Sequence, residues 1–161
     1  VGVIFEYFRA ADRDTARARL LSTPYGTPEP AVDAVDTKGY DPFVVMGRLM
    51  ALVLNRPWSP DLVSEEIIWP EEPYPENEED LPEDSPWNSG VVLVELPASF
   101  RDAFADVDDY ALPWIADQWH RIEELDGGVD AGLALDFIEE FVAFTRRAEQ
   151  AGDRLYCLMV A

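Results

Sequence analysis

Little in this chain can serve as a thiol, a general base or a cation. Of its 161 residues one is cysteine, one histidine and one lysine, and twelve basic residues face 33 acidic ones for a formal charge of -21. The lone Cys157 excludes an internal disulfide. The lone His120 leaves one imidazole for the whole chain, and nothing in the sequence sets it beside a serine or cysteine nucleophile. No serine lies in a Gly-x-Ser-x-Gly context. The nine glycines form neither Gly-x-Gly-x-x-Gly nor a phosphate-binding Walker loop. These absences remove the common hydrolase and nucleotide-binding signatures, and no cofactor is expected. Long hydrophobic runs are missing too: the longest, Phe43 to Leu54, is broken by Arg48 and falls short of a bilayer span. The opening Val1-Gly-Val-Ile-Phe-Glu has no basic n-region or small-residue cleavage site. With so little cysteine, a reducing, cytoplasmic setting is expected.

The charge excludes partners as well. A strongly anionic surface repels phosphate backbones and anionic lipid headgroups within the Debye length. Nucleic acid and membrane are therefore not expected as partners, which leaves a basic protein or a cation. Oligomeric state is not legible.

What the chain does have is apolar mass. Hydrophobic residues make up 48% of it, with five Trp, six Tyr and eight Phe, enough to fill a core despite the charge. Val1–Phe8 reads as a strand buried on both faces, because both alternating sets are mostly apolar. Asp12 caps a helix over Arg13–Ser22, and the prolines of Thr23–Pro30 make a loop. Asp41-Pro42 starts a helix running to Asn55, apolar nearly all round and so central to the domain. Ser59-Pro60 predicts a short helix over 61–67. Gly90–Leu96 reads as a strand and Ala98–Ala105 as a short helix. Pro113–Glu124 reads as an amphipathic helix burying Trp114, Ile115, Trp119 and Ile122. Asp130 caps the longest helix, reaching Gln150 on a stripe of Leu133, Phe137, Ile138, Phe141 and Phe144, and Leu155–Val160 is a closing buried strand. The expected fold is α+β: a single domain with a small sheet that includes the N- and C-terminal strands, packed against several helices.

Ten of the acids fall between Glu65 and Asp84, and an acidic, proline-rich loop is expected at about 69–88. It reads as a solvated loop, as a docking surface for a basic partner, or as a calcium site. The last lacks the Asp-x-Asp-x-Asp-Gly pattern. In the docking reading Glu71, Glu72, Glu76, Glu78, Glu79, Asp80, Glu83 and Asp84 steer the partner, and the interleaved Trp69, Tyr74 and Trp87 anchor it.

Two other groupings could carry chemistry. Asp117 and Glu124 lie three and four residues from His120, so a metal-assisted hydrolase centred on them is an alternative to a surface histidine among acids. Phe100 with Phe104, and the phenylalanines of the last helix, could line a small-molecule pocket, although aromatics at helical spacing usually make core. Cys157, flanked by Tyr156 and Leu158, reads as a small core residue.

The two ends carry a resemblance. Gly2-Val-Ile-Phe-Glu-Tyr at one end, and Phe141 to Gln150 followed by Gly152-Asp-Arg-Leu-Tyr-Cys-Leu-Met-Val-Ala at the other, resemble the opening and the closing helix-turn-strand of the YfbM-like family of uncharacterised bacterial proteins. The middle departs: Tyr40-Asp-Pro-Phe-Val-Val-Met-Gly-Arg-Leu stands where members carry a Trp, a Leu-His pair and a Leu-Thr-Gly step. The resemblance implies a compact α+β fold and no established activity. An association of relatives with toxin genes implies an immunity-like or inhibitory role.

Overall fold

The computed structural model describes residues 2–22 and 33–161. The loop expected over Thr23–Pro30 lies outside them. Among the described residues five antiparallel strands form one sheet: β1 (Ile4–Ala10), β2 (Ala34–Lys38), β3 (Ile67–Trp69), β4 (Val91–Glu95) and β5 (Arg154–Val160), in the order β2-β1-β5-β4-β3. Five helices accompany them: α1 (Arg13–Ser22), α2 (Val45–Leu54), α3 (Ala98–Ala105), α4 (Leu112–Trp119) and α5 (Ala131–Ala151). The fold is α+β. The strands nearest the two chain ends pair at its centre, with Tyr7 opposite Cys157 and Phe8 opposite Tyr156.

The double-sided apolar pattern of β1 has a direct structural cause. Phe5 and Tyr7 point into the larger core, built with α2 to α5. Phe8 and Ala10 point the other way, into a smaller cluster where Ala16 and Leu20 of α1 meet Tyr156, Leu158 and Leu93. Phe141 of α5 sits at the hub of the larger core. Its ring meets those of Tyr7, Phe100, Phe104, Phe137 and Phe144 at centroid separations of 5.0–6.0 Å. Each such buried aromatic contributes about 1.5–3 kcal/mol through removal of apolar surface from water. Two polar groups of this core are paired: Tyr7 Oη donates to the Tyr40 carbonyl at 2.6 Å, and Trp119 Nε1 donates to the Val45 carbonyl at 3.0 Å.

Local signals set the helix ends. Asp41 accepts from the backbone N–H groups of Phe43, Val44 and Val45, and α2 ends at a left-handed Asn55. Asp130 caps α5 through the Leu133 N–H, and Gly152, at φ 69°, closes it.

Four expectations are corrected. The helix over 61–67 does not form. Ser59 begins a single turn, Val63 is buried, and the Glu66 carbonyl accepts from Glu95 N at 2.9 Å, leading the chain into β3. Pairing along β4 outweighs the local Ser-Pro start. The helix expected to reach Glu124 ends at Trp119; the backbone turns extended at Ile122, whose side chain packs on the core from beyond the helix. Trp114 is 53% exposed, because the stripe that α4 buries is Leu112, Ile115, Ala116 and Trp119. Leu133 is 59% exposed, since α5 faces the core with Ala134, Ile138, Phe141, Val142, Thr145 and Ala148. The edge strands β2 and β3 are additions to the three strands read from sequence.

Candidate functional site

The acidic segment joins β3 to β4 at the sheet edge, and its aromatics hold it together. Pro70, after a cis peptide bond, is buried. Trp87 Nε1 reaches back across the loop and donates to the Glu72 carbonyl at 2.9 Å. Tyr74 meets the Trp87 ring edge-to-face, with centroids 5.2 Å apart. Two single 3₁₀ turns, Glu78–Asp80 and Pro86–Ser89, interrupt a chain that is otherwise irregular, as five prolines predict. Ser85 caps the second turn, and Asn88 Nδ2 donates to the carbonyls of Pro82 and Glu83. The result is a braced loop enclosing a groove of about 340 Å³, lined by Glu72, Pro73, Pro82, Asp84, Pro86 and Trp87 among others.

The sequence-derived docking residues fall into three environments. Trp69 is half-buried in β3, where it packs on the smaller core. Trp87 is also half-buried and closes the loop, whereas Tyr74 is 49% exposed. Glu71, Glu72, Glu76, Glu78, Glu79, Asp80, Glu83 and Asp84 are all exposed. Glu71 lies 3.6 Å from Arg17 of α1. Among the described residues none of the other seven pairs with a cation.

The body of the protein is arranged differently. Among the described residues every arginine except Arg56 forms an ion pair, and all of those pairs but Arg17 with Glu71 use carboxylates outside this loop. Arg9 and Arg147 share Asp33 at 2.8 Å each. Arg147 and Arg9 hold the Asp33 carboxyl below its ordinary range against the opposing effect of burial. On the α1 side of the sheet Glu95, only 5% exposed, takes a two-point contact from Arg13 and a third from Arg154. Arg13 also reaches Glu66. Burial pushes the Glu95 carboxyl up, but these guanidiniums outweigh it and the net displacement is downward. Glu6, 4% exposed, contacts Arg19 at 2.5 Å, and burial raises its pKa to about 7. Neither buried glutamate lies in a sequence motif. Their signal was present: a carboxylate inside a strand covered on both faces needs a partner, and α1 carries arginines at 13, 17 and 19.

The residues of the metal alternative do not converge. His120 Nε2 lies 3.8 Å from Asp117, and its Nδ1 is 3.2 Å from the Val129 carbonyl. Arg121 takes Asp117 at 2.9 Å, and Glu124, past the helix end, pairs with Arg48 at 2.8 Å. No group of three or more His, Cys, Asp or Glu among the described residues is arranged to hold a metal ion. Phe100 and Phe104 are fully buried against each other and Phe141, so they are packed core. Cys157 is buried, and burial pushes its thiol well above the ordinary value.

Comparison with protein-family models, with curated proteins and with solved structures found no match for this chain. The site is therefore read from its own geometry. No helix among the described residues is long and apolar enough to cross a membrane.

Proposed function

We propose that this chain is a non-enzymatic binding protein that docks a basic protein through loop 70–89. Its role would be immunity-like or inhibitory, as the resemblance at its two ends to the YfbM-like family implies. The observation that carries the reading is the distribution of cations. Among the described residues every arginine but Arg56 is committed to carboxylates of the body, and seven loop acids stand exposed on a braced scaffold with no cation paired to them. Like charges held close together destabilise a fold, so their retention on one loop fits a role outside folding. A basic partner relieves that repulsion on binding. The long-range field accelerates its encounter and makes the affinity fall with salt.

The reading is tested by affinity capture from host lysate at low and high salt. The wild-type chain is compared with a variant carrying Glu72, Glu76, Glu78, Glu79 and Glu83 as Gln and Asp80 and Asp84 as Asn. A single basic protein held by the wild type at low salt, released at high salt and not held by the variant supports it. Equal retention by both proteins, or retention that salt does not weaken, overturns it.

A further inference from the structure

Elsewhere in this molecule an arginine is seated by a tryptophan and a carboxylate. The Arg48 guanidinium carbon lies 4.4 Å over the Trp58 ring, and its Nε donates to Glu124 Oε1 at 2.8 Å. Trp58 itself is fixed, its indole N–H donating to the Phe43 carbonyl at 3.1 Å. The loop groove assembles the same parts. Trp87 lines it, its indole N–H held by the Glu72 carbonyl and its ring braced by Tyr74. Glu72 and Asp84 belong to the same lining, and no cation among the described residues pairs with either. Pro73, Pro82 and Pro86 complete the wall, with fixed φ and no N–H of their own to satisfy, so the groove loses little freedom when filled.

From this correspondence we infer that the groove receives an arginine side chain of the partner, its guanidinium stacked on Trp87 and hydrogen-bonded to the carboxylates of Glu72 and Asp84. The inference rests on the docking reading and narrows it from a basic surface to an arginine-bearing one. Arginine fits where lysine does not. A guanidinium is flat, weakly hydrated and carries donors in a fixed fork, so it stacks on indole and bridges carboxylates together. An ammonium is a compact, strongly hydrated point charge that gains little from the ring.

The test uses the full chain and two probes of equal charge: a glycine–serine peptide with arginine at alternate positions, and its lysine counterpart. Binding is measured by calorimetry at low salt for the wild type, for Glu72→Gln with Asp84→Asn, and for Glu78→Gln with Glu79→Gln. The two double variants remove the same charge. Neither alters the Trp87 brace, which uses the Glu72 backbone. The expected result is about a fivefold preference for the arginine peptide, abolished in the groove variant and retained in the outer one. Equal affinity for the two peptides, or equal losses in the two variants, overturns the inference while docking by charge stands. If neither peptide binds the wild type, the inference and the docking reading fall together.

Discussion

In the body of this protein ten of the 24 described aspartates and glutamates meet a guanidinium; in loop 70–89 the carboxylates stand almost alone. Asp33 holds two arginines and Glu95 holds two, and even the buried Glu6 has Arg19 beside it. In the loop one acid of eight, Glu71, touches a cation. The two regions also differ in what orders them. The body is held by a close-packed aromatic core, and the loop by one indole hydrogen bond, one ring contact, a turn capped by Ser85 and the Asn88 amide on two carbonyls. The difference separates carboxylates that the fold uses to seat its guanidiniums from a run of carboxylates that it carries almost without them. It predicts that changes in the body register in stability, and that changes in the loop register in binding.

The largest effect is expected at Phe141. Its ring touches five other aromatics and is fully buried, so Phe141→Ala removes transfer energy and leaves a cavity that its neighbours cannot fill. Urea denaturation should report a loss of about 4 kcal/mol. The chain that remains folded should bind basic partners with unchanged affinity. A loss well under 1 kcal/mol, or a binding defect in the folded fraction, would blur the division between body and loop.

The next effect is a pH dependence, and it belongs to the body. Burial is the main cause that raises Glu6 from 4.5 to about 7, with Arg19 opposing the shift and Asp36 adding to it. A carboxyl whose pKa is higher folded than unfolded binds more protons in the native state between those two values. Its contribution is complete below about pH 4.5 and is lost as pH rises through 7, on the order of 3 kcal/mol in all. Glu6→Gln stays neutral throughout and should flatten the stability profile across that window. An unchanged slope in the variant would move the titration to another group. Arg19, lowered by burial and supported by Glu6 and then Asp36, keeps the second carboxylate as a neighbour in the variant.

How far the sequence carried the fold can be judged from particular elements. The burial of β1 in the sheet followed from apolar residues in both alternating sets, whereas its pairing with β5 was not legible, because nothing in the sequence orders the strands. The helices α1 and α5 followed from Asp12 and Asp130 as caps, and both carboxylates do accept from the third backbone N–H beyond them. Short edge strands were not legible. β2 and β3 have only five and three residues, and what makes them strands is a partner distant in sequence. The loop was legible as acid and proline, whereas its closure was not. Nothing local indicates that the Trp87 indole N–H reaches the carbonyl of a residue fifteen positions earlier. The metal alternative failed for a similar reason: the spacing of Asp117, His120 and Glu124 has meaning on one helix, and α4 stops at Trp119.

A smaller effect is expected at the start of α5. Asp130 Oδ1 accepts from Leu133 N at 2.8 Å, and Asp130→Ala leaves that donor to water at a cost of about 1 kcal/mol. Asp130→Asn keeps the acceptor and should restore most of the loss in thermal melts. If Asn does no better than Ala, the carboxylate acts through its charge on the helix dipole rather than as a cap.

The smallest change in stability, and the largest in binding, is expected when the seven unpaired loop acids become amides. Each is exposed, and no cation of the described residues is lost to any of them. Exposed sites of this kind shift stability by about 0.5 kcal/mol or less apiece. Here the sign should favour the variant, because neutralisation removes repulsion from a chain of charge -21. Added salt stabilises the wild type by screening the same repulsion, so its benefit should shrink in the variant. A variant that melts several degrees lower instead would mean that the carboxylates hold the loop in shape. Charge and architecture would then be coupled there as they are at Glu95, and the loop would belong with the body after all.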